Sequence, residues 1–275
     1  MDKCTILLEN THSELLSTKT EHGLSILIET DKNKYLFDMG STGIFEYNAR
    51  LMNINLKDIK TVILSHSHYD HCSGLLSFLD NHSIDNIYVG QDFFKEKYAL
   101  NDSTITYLGC GFDKKYLQDK SIKINEINKD VYKLEESLYI VTNFKQHYEH
   151  EIIPSRFVNG NLETLTKDNF IDEIALVKET ETGLTLIVGC AHRGILSIIK
   201  SVNSMFDKNI DTVIGGVHLN AVDEDRIIST SKELLNLGIK KTYFLHCSGK
   251  QITNQLKKEK NIEANYVATG DIILL

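Results

Sequence analysis

The chain has 275 residues, of which 41% are hydrophobic and 25% charged, and its formal net charge is −8. This length supports one substantial core, and the composition is that of a folded globule. The acidic balance argues against a nucleic-acid partner, because binding to a phosphate backbone depends on clustered Lys and Arg. No apolar stretch reaches the ~20 residues of a membrane span. We therefore expect a single domain over residues 1–275, with neither nucleic acid nor membrane as a partner. The composition leaves the oligomeric state open.

The opening segment, MDKCTILLENTHSELL, has an acid at position 2 and breaks its apolar run early, so it does not read as a secretory signal. The five cysteines include no CxxC pair, which favours reduced thiols in a reducing compartment. Together these features predict a cytoplasmic protein without disulfide bonds.

Three apolar runs near the start of the chain predict strands at residues 4–8, 24–30 and 35–37. The third run continues into LFDMG, so that a carboxylate, Asp38, stands at the end of a strand. This opening favours a β-rich first part of the fold.

The densest group of metal-binding side chains lies in SHSHYDHCSGL, residues 65–75, directly after the apolar run 61–64. Its four candidate ligands are His66, His68, Asp70 and His71. A strand that ends here places them on one tight turn, because alternate residues of extended chain point the same way. Neutral imidazole and ionised carboxylate are standard zinc ligands. A polar surface turn is the alternative, but HxHxDH after an apolar strand is a specific signal and predicts a metal site.

Leucines at helical spacing then predict a helix over residues 73–79, with Ser73 available as its cap. The following segment, about residues 80–165, is Lys-rich with short apolar alternations, and we interpret it as an inserted or elaborated region of mixed α and β structure. It contains His147 and His150. These are interpreted as solvated side chains, with a substrate or metal contact as the less favoured alternative.

The C-terminal third repeats the order strand, ligand-rich turn, helix. A hairpin at 175–188 runs into GCAHRG, which is followed by an amphipathic helical pattern from residue 195 to 206. Two more apolar runs end in His218 and in His246, and each precedes a helical stretch. Adjacent strands lie ~5 Å apart, so these groups can converge if the strand ends share an edge. We expect Cys190, His192 and His246 to join the metal ligands.

The HxHxDH motif resembles the signature of the metallo-β-lactamase superfamily, whose α/β fold is a four-layer αββα sandwich with a metal site at one edge. The patterns EHGLSILIE, LFDMG, GCAHRGI, GGVHL and HCSG are similar to one subgroup. That subgroup is named after dihydropterin-ribofuranosylaminobenzene phosphate synthase, and many of its members are described only as metal-dependent hydrolases. The similarity runs from about residue 5 to the end and is weakest across 80–165.

The resemblance implies roles for several residues. Asp38 would lie behind the metal ligands and orient one of them or the loop that carries them, although an Asp here could instead cap a turn. Cys190 aligns with the Asp that usually bridges two metals, and His192 stands in for a His that this chain lacks. We therefore expect one or two divalent ions. Thiolate favours Zn, with Fe or Mn as alternatives.

The function that this implies is hydrolysis of a small anionic metabolite by a metal-bound hydroxide. Asp70 would orient the metal-bound water and shuttle its proton. His22, Tyr69 and His218 are candidates for substrate contacts, and ordinary structural roles are as well supported for them. One alternative is metal-assisted transfer at a phosphoribosyl-type substrate. A mononuclear-iron dioxygenase and a non-enzymatic metal-binding protein are the others. The di-iron branch of the fold is disfavoured, because it carries Glu where this chain has His68.

Overall fold

The computed structural model describes residues 2–11, 13 and 17–275. Parts of the opening segment interpreted above as lacking a secretory signal, residues 1, 12 and 14–16, lie outside the described residues. The strands within the described range are β1 (Lys3–Leu8), β2 (Ser25–Glu29), β3 (Lys34–Phe37), β4 (Thr61–Ile63), β5 (Asn86–Gly90), β6 (Lys97–Asn101), β7 (Thr104–Tyr107), β8 (Lys123–Ile127), β9 (Val131–Glu135), β10 (Leu138–Val141), β11 (Phe157–Asn159), β12 (Thr166–Lys167), β13 (Ala175–Glu179), β14 (Leu184–Val188), β15 (Ile210–Gly215), β16 (Lys241–Phe244), β17 (Glu263–Tyr266) and β18 (Ile272–Leu274). The helices of the same range are α1 (Ile44–Leu51), α2 (Tyr69–Cys72), α3 (Gly74–Asn81), α4 (Lys114–Asp119), α5 (Ile195–Phe206), α6 (Glu224–Asn236) and α7 (Lys250–Leu256), with a 3₁₀ turn at His246–Ser248.

The chain forms two compact units. The first comprises Met1–Ile127, Ile153–Asp172 and Ala268–Leu275, and the second comprises Asn128–Ile152 and Glu173–Val267. The segment 80–165, predicted as an insertion, therefore contributes to both units. The prediction of one domain over residues 1–275 stays a prediction.

The first unit is built on a seven-stranded sheet in the order β18-β1-β2-β3-β4-β5-β8. Strands β3, β4, β5 and β8 are parallel neighbours, so helices must carry the chain back between them. The apolar faces of these helices, including Phe45 of α1 and Phe78 of α3, are buried in one core cluster with Val62 of β4. Because β3 and β4 are parallel, Asp38 and the HxHxDH turn lie at the same edge of the sheet.

A second, four-stranded sheet of the first unit has the order β12-β11-β6-β7, and its strands β6, β7 and β11 come from the elaborated region. The second unit has its own seven-stranded sheet in the order β17-β16-β15-β14-β13-β10-β9. Its strands β14 to β17 are parallel, and α5, α6 and α7 connect them. The predicted amphipathic helix is confirmed as α5, which buries Ile198, Ile199 and Val202.

The sequence-based assignments were wrong at the start of α3. Ser73 occupies the cap position but makes no side-chain capping bond, because its hydroxyl donates to the Cys110 carbonyl at 2.9 Å. The sequence also missed α1, α4 and the strands of the small sheet. Among the described residues, no helix combines the length and apolarity that crossing a membrane requires.

Candidate metal-binding sites

The HxHxDH turn of the first unit brings three imidazoles together. The ring centroids of His66 and His68 are 4.7 Å apart, and those of His66 and His71 are 4.3 Å apart. His66 and His71 are fully buried, and His68 is 7% exposed. Asp70 Oδ2 lies 3.4 Å from His71 Nε2. The four residues predicted as ligands from this motif therefore form one compact group.

Asp38 holds this turn from behind. It is fully buried and has a left-handed backbone conformation, with φ 58°. Its Oδ1 accepts from the Ser65 backbone N–H at 2.7 Å, and its Oδ2 accepts from Ser65 Oγ and His71 Nδ1, each at 2.7 Å. When His71 is neutral, its hydrogen bond from Nδ1 to Asp38 leaves Nε2 as the nitrogen that can bind a metal. That Asp38 tunes a bound metal stays a prediction.

The electrostatic environment separates two of the buried imidazoles. Burial lowers the pKa of His66 well below its usual range, and the neighbouring His71 and His68 rings lower it further. Burial also lowers the pKa of His71, but the Asp70 and Asp38 carboxylates outweigh it and raise that pKa well above its usual range. His66 is thus held neutral, the state in which imidazole binds a metal.

A buried ion-pair network, which sequence reasoning missed, supports the same turn. Asp172 Oδ2 accepts from Ser67 N–H at 2.9 Å and from Ser67 Oγ at 3.1 Å. Lys97 Nζ lies 2.7 Å from Asp172 Oδ1 and 2.8 Å from Asp168 Oδ2, and Lys97 is 1% exposed. Burial raises the pKa of Asp172. For Lys97, burial lowers the pKa, but Asp172 and Asp168 raise it more.

The segment that supplies these aspartates also supplies an aromatic wall. Phe170 lies between them in sequence, and its ring packs edge-on against His68 with centroids 5.2 Å apart. Phe157 of β11 also packs against His68, with ring centroids 5.6 Å apart. The sequence DNFIDE, residues 168–173, contains both aspartates and Phe170, but no local pattern connects it to the HxHxDH turn.

Two predicted substrate contacts lie beside Asp70. His22 Nε2 is 3.2 Å from Asp70 Oδ2, and its ring centroid is 6.4 Å from that of Tyr69. Both side chains are exposed, Tyr69 to 37%. They can therefore meet a ligand from solvent. His147 and His150, interpreted as solvated, are exposed.

The second unit carries its own group of ligand-type side chains, at the ends of three neighbouring parallel strands. Cys190 follows β14, His218 follows β15, and Cys247 follows β16. The Cys190 and Cys247 sulfurs are 3.2 Å apart, and the ring centroids of His192 and His218 are 4.5 Å apart. Cys247 was quoted in the sequence pattern but not selected as a site residue.

The Cys247 thiol has an unusual pKa. Burial raises the pKa of Cys247, but its hydrogen bond with Cys190 and the nearby His246 and His218 rings outweigh burial and bring the pKa well below its usual range. The backbone is left-handed at Ala191, His218 and His246, with φ 51°, 50° and 54°. Such conformations persist in non-glycine residues only where the surroundings enforce them, and they cluster at functional sites.

Two buried carboxylates position the GCAHRG turn. Glu173 accepts the backbone N–H groups of His192 at 2.7 Å and Arg193 at 2.8 Å. Glu151 accepts from Leu196 N–H at 2.9 Å and Ser197 N–H at 2.7 Å, which anchors the start of α5. Neither glutamate was singled out from the sequence.

The donors in each unit fit a divalent cation. In the first unit the donors are buried imidazoles and the Asp70 carboxylate. The hydrogen bond between His71 Nδ1 and Asp38 leaves Nε2 of His71 as its metal-binding nitrogen. In the second unit the donors are the Cys190 and Cys247 thiols and the His218 imidazole. The sequence predicted a single centre served by His66, His68, Asp70, His71, Cys190, His192 and His246, and that assignment stays a prediction.

Comparison with known proteins identifies the protein family. Residues 19–199 match the family model described as the metallo-beta-lactamase superfamily. The chain belongs to this superfamily, and the predicted α/β fold class is confirmed.

Three individual proteins resemble this chain in sequence or in fold. The 7,8-dihydropterin-6-methyl-4-(beta-D-ribofuranosyl)-aminobenzene-5'-phosphate synthase of Methanocaldococcus jannaschii is 32% identical over 92% of this chain and 90% of its own length. A solved metal-dependent hydrolase of the β-lactamase superfamily is 25% identical, with a TM-score of 0.85 over 100% of this chain and 99% of its own. A metallo-β-lactamase fold protein of Bacillus subtilis, 14% identical, shares the fold with a TM-score of 0.57 over 99% of each chain.

Proposed function

We propose that this protein is a metal-dependent hydrolase of a small, anionic metabolite. The observation that carries the proposal is the HxHxDH turn, in which three imidazoles and Asp70 are grouped and Asp38 fixes the His71 tautomer. The resemblance in fold to a protein described as a metal-dependent hydrolase supports it. The net charge of −8 supports a small molecule rather than nucleic acid as the substrate. A cytoplasmic location belongs to the same proposal.

The residues of the HxHxDH turn would have two different roles, metal binding and proton transfer. His66, His68 and His71 would hold the cation, for which Zn is the favoured identity and Fe or Mn are alternatives. When bound, a divalent cation makes a nucleophile available from water near neutral pH and polarises a carbonyl or phosphoryl oxygen. Asp70, only 6% exposed, would orient the attacking water and take its proton at Oδ2.

His22 and Tyr69 would meet the substrate. His22 Nε2 contacts Asp70 Oδ2 at 3.2 Å, so a proton taken by Asp70 can pass to this exposed imidazole. The Tyr69 hydroxyl, on the same exposed face, can donate a hydrogen bond to an anionic oxygen of the substrate. His218, in the second unit, is retained as a candidate substrate contact on sequence grounds only.

A second candidate is metal-assisted transfer at a phosphoribosyl-type substrate. The observation in its favour is the 32% identity, over most of both chains, to a protein named as a synthase of a ribofuranosyl-aminobenzene phosphate. The same cluster would then activate a leaving group for an acceptor other than water.

The test uses metal-free and metal-replete full-length protein, with Zn, Mn and Fe added separately. Phosphodiesters, lactones, thioesters and phosphoribosyl compounds are screened for turnover, with and without an aromatic amine acceptor. His68→Ala should lose most bound metal and at least ~100-fold of the activity, whereas His147→Ala, at an exposed His, is the matched control. Full metal content and activity in His68→Ala would refute the assignment. Turnover that requires the acceptor would favour transfer over hydrolysis.

A further inference from the structure

We propose that the second unit binds a thiophilic divalent cation such as Zn²⁺ through Cys190, Cys247 and His218. The donor atoms of these residues all lie within 4.8 Å of one another. Cys190 and Cys247 are each 3% exposed, and the two sulfurs are 3.2 Å apart. The inference goes beyond the proposed function, because it rests on the thiol pair and not on the histidine turn.

The sheet itself assembles this site. Strands β14, β15 and β16 are parallel neighbours, with Val188 paired to Gly215 and Gly215 paired to Phe244. The three strands therefore end level with one another at one edge, ~5 Å apart. The residues two or three positions beyond those ends supply the donors. Three separate segments, far apart in sequence, are thus brought to one point.

The local backbone is shaped around the Cys247 sulfur. A Cβ at Gly216 would lie 2.7 Å from this sulfur and 2.4 Å from the Gly189 carbonyl oxygen, so only glycine leaves room for the thiol. The His218 backbone N–H donates to the same sulfur at 3.3 Å. His218 is held in a left-handed conformation, φ 50°, while it makes this bond. A sulfur that accepts a backbone hydrogen bond is suited to the thiolate state that metal ligation requires.

The separation of the sulfurs favours a metal over a disulfide. Tetrahedral zinc with Zn–S bonds of about 2.3 Å places two ligating sulfurs about 3.7 Å apart, whereas a disulfide requires about 2.05 Å. The observed 3.2 Å is nearer to the first value, and no disulfide joins these two cysteines. Two thiolates and an imidazole select Zn²⁺ over Mn²⁺ or Mg²⁺. Three protein ligands also leave the fourth tetrahedral position open.

The experiment titrates metal-free, full-length protein with Co²⁺ and records the thiolate-to-cobalt charge-transfer absorption per chain. The wild type should show the band at the strength of two thiolates. Cys190→Ser and Cys247→Ser should each lose about half of it, and the double variant should lose it all. Cys4→Ser, at a buried cysteine of β1 in the first unit, is the matched control and should keep the full band.

A measurement on the unaltered protein covers the case in which the variants fail to fold. X-ray absorption at the zinc edge should find two sulfur neighbours per chain. The proposal is overturned if the wild type binds Co²⁺ without the band, if Cys247→Ser keeps the full band while folded, or if metal-replete protein contains a Cys190–Cys247 disulfide. In each case, loss of activity in His68→Ala would leave the proposed hydrolase function standing, so the two failures are distinguishable.

Discussion

The two groups of ligand-type residues are built in opposite ways. In the first unit, His66, His68, Asp70 and His71 stand on one turn, and buried carboxylates hold that turn from behind. In the second unit, Cys190, His218 and Cys247 come from three strands, and the register of a parallel sheet aligns them. A local cluster depends on the side chains that clamp it, whereas a distributed cluster depends on close backbone packing. Substitutions can test each dependence separately.

The largest effect is expected from Lys97→Met. This change leaves the buried Asp168 and Asp172 carboxylates without their cation, which typically costs about 3–5 kcal/mol of the free energy of unfolding. Urea unfolding of the metal-free protein measures it. Lys97→Met combined with Asp172→Asn should recover part of the loss, because the pair is coupled. A stability equal to wild type would show that the clamp behind Ser67 is dispensable.

Asp38→Ala should come next. It removes the acceptor for Ser65 and His71 and leaves buried donors unpaired, at a cost of about 2–3 kcal/mol, and it should weaken metal binding about 10–100-fold. Unfolding curves and metal titration followed by elemental analysis measure the two effects. Asp58→Ala, at an exposed aspartate of the same unit, is the control. Unaltered metal affinity would contradict the role assigned to Asp38.

Gly216→Ala probes backbone packing in the second unit. The added methyl group meets the Gly189 carbonyl at 2.4 Å, so we expect a loss of about 1–3 kcal/mol together with a weaker cobalt–thiolate band. Gly238→Ala is the comparison, because its methyl group meets nothing within 4 Å and only its φ of 84° is strained. It should cost about 1–2 kcal/mol and leave the band intact. Equal bands in both variants would argue against close packing at Cys247.

The smallest effect concerns Glu151, whose pKa is raised because burial outweighs its hydrogen bonds to the start of α5. The folded chain then binds this proton more tightly than the unfolded chain, so the contribution of Glu151 to stability falls as the pH rises from about 4.3 through the folded pKa. Glu151→Gln lacks this dependence. Its stability relative to wild type should therefore improve with pH, by at most about 1.4 kcal/mol per unit of pKa shift. Glu149→Gln, at an exposed neighbour, should show no such trend.

Local patterns explain what the sequence could predict. The strands around the ligands, helix α5 and the HxHxDH turn all follow from short apolar runs and from spacing within a few residues. The order strand, ligand-rich turn, helix was visible three times in the C-terminal third, so the strand-end positions of Cys190, His218 and His246 could also be predicted.

Contacts between residues far apart in the sequence explain the features that the sequence could not predict. Ser67 and Asp172 are 105 residues apart, and no local pattern connects them or points to Lys97. Strand β7 exposes all four of its residues and therefore lacks the alternation that marks a half-buried strand. The Ser73 cap failed for a related reason, since a carbonyl 37 residues away accepts its hydroxyl instead.

The burial of Lys97 makes it a chemical reporter. Its amine is sealed by two carboxylates and is 1% exposed, so an acylating reagent can reach it only when the first unit opens. The rate at which Lys97 is labelled, compared by mass spectrometry with that of an exposed lysine such as Lys115, would measure how often the first unit opens at this position. A side chain that stabilises the fold would thus also report on its opening.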